Sequence, residues 1–111
     1  MVANEEIKGM IQRLAAKIRD EYRPERIILY GSFAYGRPAE GSDIDLLIVK
    51  KTDERPLDRR VRVRRIADIR DPACPPFSPV VLTPREVEER MAMGDQIIED
   101  ILARGEVLYA A

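Results

Sequence analysis

The sequence contains no histidine and a single cysteine, Cys74. The first absence removes Ser-His-Asp and Cys-His catalysis, and with them histidine-based zinc sites. The second removes any intramolecular disulfide framework. No apolar run is long enough to cross a bilayer and no signal-peptide pattern is present, so a cytoplasmic protein is expected, with no membrane partner. Neither sign of charge is in excess. The formal net charge of −1 draws the chain toward neither nucleic acid nor membrane. Carboxylates, arginines, lysines and hydroxyls are what remain for chemistry.

What is present suits one compact domain over residues 1–111, with 45% hydrophobic residues for a core and 35% charged residues for its surface. Residues 4–22 read as an amphipathic helix, because Ile7, Met10, Ile11, Leu14, Ile18 and Tyr22 recur at helical spacing. Pro24 stops it. The run from Arg26 to Tyr30 reads as a short buried strand ended by Gly31, and one helical turn follows Ser32 and closes near Gly36. Residues 43–49 form a second strand whose far end is apolar on both faces, as at the centre of a covered sheet. A helix over 56–69, opened by Pro56, is expected to turn Leu57, Val61, Ile66 and Ile69 inward. Residues 71–79 read as irregular, since their prolines cannot serve an interior ladder. A short strand covers 80–82. Thr83, Pro84 and Glu86 then form a helix start with a capping box. A last helix over about 95–103 stops at Gly105, before a strand at 107–109. This order describes an α/β (α+β) fold, a small mixed β-sheet covered by helices.

The segment from Tyr30 to Val49 carries the chemistry. Glycine after a strand lets the backbone turn sharply and a ligand come close. Serine at a helix start offers a hydroxyl, free N–H groups and the positive end of the helix dipole, all suited to phosphate. Asp43 and Asp45, two apart on a strand, project from one face. Such a pair can hold Mg²⁺ ions that bridge triphosphate oxygens. Arg37 follows the turn, where it either reaches a triphosphate or decorates the surface.

Gly31-Ser32, ten residues, then Asp43-x-Asp45 resembles the signature of the DNA polymerase beta nucleotidyltransferase superfamily. The surrounding Leu-Tyr-Gly-Ser-Phe-Ala-Tyr-Gly and Gly-Ser-Asp-Ile-Asp-Leu-Leu-Ile-Val resemble its minimal prokaryotic branch. So do the stretches at 80–87 and 105–109. The resemblance implies the nucleotidyltransferase fold, with Asp43 and Asp45 as catalytic metal ligands and Gly31, Ser32 and Arg37 as nucleotide contacts. It implies Mg²⁺, or Mn²⁺, as cofactor. It also implies transfer of a nucleoside monophosphate from an NTP, with ATP the expected donor, to a hydroxyl acceptor. Some members of this branch are antitoxins that adenylylate a toxin, so a toxin-like protein partner is implied as well.

One departure stands out. Counting back from Thr83-Pro84, the family's third carboxylate falls on Ser78, and no Asp or Glu lies between residues 72 and 85. Serine cannot act as the anionic base, a role typically contributing ~10²–10⁴ in rate. Asp68 and Asp71 are the nearest acids that could replace it. The alternative to an active enzyme is therefore a catalytically impaired nucleotide-binding module that acts through protein–protein binding.

Residues 55–70 hold seven arginines: Arg55, Arg59, Arg60, Arg62, Arg64, Arg65 and Arg70. They make either a basic surface for a triphosphate, RNA or acidic partner, or a solvated helix face. Few aromatic residues lie nearby to stack bases, so nucleic acid is not expected as a partner. The chain also lacks a recognisable acceptor-binding module, so acceptor recognition is expected from a partner protein or a second copy.

Overall fold

The computed structural model describes residues 4–36, 38, 41–68 and 70–111. Four helices and four strands follow in the order α1 (Asn4–Tyr22), β1 (Arg26–Tyr30), β2 (Ile44–Val49), α2 (Pro56–Ala67), β3 (Phe77–Leu82), α3 (Pro84–Ala92), α4 (Gln96–Arg104) and β4 (Glu106–Ala110). The strands form one sheet in the order β3-β2-β1-β4. β1 runs antiparallel to both β2 and β4, whereas β3 lies parallel to β2. The sheet is therefore mixed. Among the described residues no helix is long and apolar enough to cross a membrane.

Period-two alternation divides the core into two layers. On one face, Ile27, Leu29, Ile44, Leu46, Ile48 and Val81 pack against Leu14 and Ile18 of α1 and Val63 and Ala67 of α2. On the other, Ile28, Leu47, Val49 and Leu82 pack against Val87 of α3 and Ile98 and Ile101 of α4. β2 is covered on both sides along its far half, which explains its unbroken apolar run.

Two expectations from the sequence are corrected. The inward face of α2 carries Arg59, Val63 and Ala67, whereas Leu57 is 70% exposed and Val61 is 40% exposed. Ile66 is half-buried and packs against the core as expected, and Ile69 lies outside the described residues. The register follows an ion pair rather than hydrophobicity. Arg59 Nη1 donates to Glu86 Oε1 on α3 at 2.6 Å, and its Nε donates to the Glu54 carbonyl at 2.7 Å. The second correction concerns β3, which begins at Phe77 and runs through Pro79. β3 is an edge strand pairing on one side only, so a residue without an N–H fits there. The consequence is functional, because the extension brings Ser78 into the ladder.

Around α3, Thr83 caps the helix and Glu86 closes the box, with the Glu86 N–H donating to Thr83 Oγ1 at 3.1 Å and the Thr83 N–H donating to Glu86 Oε1 at 2.8 Å. Gly105 ends α4 against β1. A Cβ there would strike the Ile101 carbonyl oxygen and lie 2.6 Å from Ile28 Cγ2, so this packing requires glycine.

Candidate active site

β1 and β2 end together at the site. Tyr30 pairs with Asp45 across the antiparallel ladder, and Asp45 pairs with Ser78 across the parallel one. Paired residues point to one face, so the three side chains form a row on the face covered by α3 and α4. Asp43 lies one residue before β2 and is exposed, while Asp45 is half-buried.

Gly31 leaves β1 at φ +77°, in the left-handed region. Its missing side chain matters more than its angle. A Cβ on Gly31 would collide with Asp45 Oδ2, so the carboxylate rests directly on the bare backbone. After Gly31 the chain makes one turn, in which the Ala34 and Tyr35 N–H groups both donate to the Gly31 carbonyl at 3.1 Å. Among the described residues no regular helix follows it. A helix dipole therefore adds little here, and the anion-binding capacity lies in the Ser32 and Phe33 N–H groups. Among the described residues these two carry no backbone hydrogen bond.

Among the described residues no cation is paired with Asp43 or Asp45. Burial, then the charge of Asp43, pushes the Asp45 carboxyl above its ordinary value. Burial, then the charge of Asp45, likewise raises the Tyr30 phenol. Opposed like charges beside a bare backbone turn favour a cation brought in from solution.

The structure brings Gly31, Ser32, Asp43 and Asp45 together, and Arg37 lies outside the described residues. No third Asp, Glu, His or Cys joins the pair in a metal-holding group among the described residues. Asp68 pairs with Arg70 at 3.2 Å, and Asp71 accepts from the Ala73 N–H at 2.9 Å. The arginine-rich α2 packs on the opposite face of the sheet from Asp45. Three of its region's arginines besides Arg59 are tied to acids: Arg55 to Asp58, Arg62 to Glu54 and Arg70 to Asp68.

One group at the site had no signal in the sequence. Tyr35, in the turn, donates from its hydroxyl to Asp100 Oδ2 on α4 at 3.3 Å. The Arg104 guanidinium lies over the Tyr35 ring, 4.4 Å from its centroid. The spacing of Asp100 and Arg104 marks an ordinary helix pair. Nothing in the sequence connects that pair to a tyrosine 65 residues earlier.

A nucleotidyltransferase domain model matches residues 11–105. The chain belongs to the nucleotidyltransferase domain family. A Sulfolobus solfataricus protein assigned as a nucleotidyltransferase has a similar fold, with a TM-score of 0.59 and 24% identity, covering 78% of this chain and 75% of that one. No curated protein sequence matches. Among the described residues the nucleotidyltransferase domain is a four-stranded mixed sheet with four helices, and the reaction class of its family is nucleotidyl transfer.

In this nucleotidyltransferase, Gly31→Ala would force a Cβ into the Asp45 carboxylate and a side chain into a left-handed backbone. The backbone term alone is ~1–2 kcal/mol. Thermal unfolding is expected to show a loss of that size, and calorimetry is expected to show loss of nucleotide binding, because the carboxylate must move.

Proposed function

We propose that this nucleotidyltransferase transfers a nucleoside monophosphate from an NTP, with ATP as the expected donor, to a hydroxyl acceptor in a Mg²⁺-dependent reaction. The observation that carries this reading is the Asp45 carboxylate seated on the bare backbone of Gly31, beside Asp43 and a turn with free N–H groups. Ser32 and Phe33 offer those N–H groups to phosphate oxygens, and Arg37 is a further contact to the triphosphate. Asp43 and Asp45 hold the ion. Mg²⁺ usually binds one or two carboxylates together with substrate phosphates and waters, not a closed protein cage, so two hard carboxylate donors suit it, and Mn²⁺ too. When bound, such an ion would supply the positive charge that offsets charge developing on the triphosphate. The acceptor hydroxyl comes from a partner protein, toxin-like in kind, or from a second copy of the chain.

A second reading is favoured by the Asp45–Ser78 register. With a hydroxyl where the family places its third carboxylate, the chain would bind NTP, turn over little, and act by contact with a protein.

Calorimetric titration of each NTP with Mg²⁺ tests what both readings share. The natural protein is expected to bind only with the metal present. Asp43→Asn/Asp45→Asn is expected to bind roughly a hundredfold or more weakly, because the ion's anchoring contributes several kcal/mol. Failure of the natural protein to bind any NTP would overturn both readings and direct the search to protein partners alone.

A further inference from the structure

We propose that Tyr35, Asp100 and Arg104 form a latch through which α4 positions the phosphate turn and so sets nucleotide affinity. The inference rests on the nucleotide site proposed above and adds three positioning residues to it.

The turn is weakly held by its own backbone. Among the described residues its two backbone bonds share one acceptor, the Gly31 carbonyl, and it is bounded by glycines at φ +77° and +72°. Glycine restrains the chain least of all residues, so the direction of the Ser32 and Phe33 N–H groups needs support from outside. α4 supplies it. Asp100 and Arg104 lie one helical turn apart on its surface, with Arg104 Nη1 donating to Asp100 Oδ1 at 3.3 Å. The other Asp100 oxygen accepts the Tyr35 hydroxyl, and the Arg104 guanidinium covers the Tyr35 ring. Each of the three groups therefore touches the other two. Tyr35 also donates its own N–H to Gly31, so holding the ring holds the turn.

The wall behind the latch is anchored in the core. Ile98 and Ile101 bury the inner side of α4 in the sheet, and Gly105 locks its end against Ile28. An isolated Asp100–Arg104 pair on an exposed helix would mean little. Its engagement of a distant tyrosine inside the turn gives it a role. Charge supports the same role, since Arg104 neutralises Asp100, an acid that would otherwise repel an arriving triphosphate.

The test combines amide hydrogen exchange with Mg²⁺–ATP titration in Arg104→Ala, Tyr35→Ala and Tyr35→Phe. The first two are expected to bind ATP roughly five- to tenfold more weakly, the loss of one stacked cation and one hydrogen bond. Exchange at residues 32–36 should accelerate while β1 and the melting temperature stay as they are. In transfer assays KM for the NTP rises and kcat holds. Tyr35→Phe keeps its ring under Arg104 and recovers part of the affinity. Unchanged exchange in the turn, or faster exchange with unchanged affinity, would overturn the latch. A natural protein that binds no NTP overturns the latch together with the site, whereas metal-dependent binding that Arg104→Ala leaves intact overturns the latch alone.

Discussion

Ser78→Asp is expected to raise nucleotidyl transfer by about 10²–10⁴-fold, the usual contribution of a positioned general base. Ser78 lies opposite Asp45 on the neighbouring strand and is half-buried on the same face, so a carboxylate there joins the Asp43–Asp45 pair without movement of the backbone. Single-turnover transfer from labelled ATP, with and without the substitution, measures the gain. A large gain over a nearly silent natural protein supports the binding-module reading. A natural protein that already transfers well, and loses transfer with Asp43→Asn, supports the enzyme. Three clustered acids also repel one another, so the variant should need more Mg²⁺ for stability than the natural chain does. Thermal melts with and without Mg²⁺ would show that difference.

Glu86→Ala is expected to cost about 3 kcal/mol, the lower end of the range for breaking a buried ion pair. Glu86 serves two groups through one oxygen, completing the cap of α3 and neutralising Arg59, whose side chain is only 7% exposed. Removing it leaves a buried guanidinium with two carbonyl acceptors, those of Glu54 and Val81, which keeps the loss from being larger. The pH dependence has a definite sign. Burial alone would raise the Glu86 carboxyl, but the Thr83 N–H and then Arg59 outweigh it and hold it below its ordinary value. A depressed folded value means the contribution is complete above the ordinary glutamate range. It is lost as the pH falls through the folded value. Urea unfolding at about pH 7 and about pH 3 should therefore show the gap between natural protein and Glu86→Ala closing in acid. Arg59→Met/Glu86→Gln should recover much of the loss, since neither charge is then stranded.

These two positions show how far the sequence could be read. The capping box at Thr83 and Glu86 is local chemistry and was legible, as were α1 from its periodicity and the Gly31-Ser32 and Asp43-x-Asp45 spacing. Ser78 was reached by counting residues from a fixed landmark, and the ladder puts it beside Asp45. The second task of Glu86 was not legible, because its partner lies 27 residues away and an arginine is not an inward residue by hydropathy. That pairing turned α2 so that Leu57 faces out. β3 was read too short because proline excludes an interior strand, and only the sheet order reveals that this strand is an edge. Tyr35 and α4 meet through tertiary packing alone.

The central strand β1 has neighbours of very different origin. Its inner partner β2 follows it closely in sequence, but Arg26 on its outer side pairs with Ala110, across nearly the whole described chain. Closing so long a loop is entropically slow, and contacts of that range form late. During synthesis from the N-terminus, Asp45 and its hairpin with β1 can assemble while α4 is still unmade. The phosphate turn then stands beside its carboxylate with Phe33 and Ala34 against the core but without the brace at Tyr35. The acidic pair would therefore form before the brace from α4, and full NTP affinity would follow once α4 has packed on the sheet.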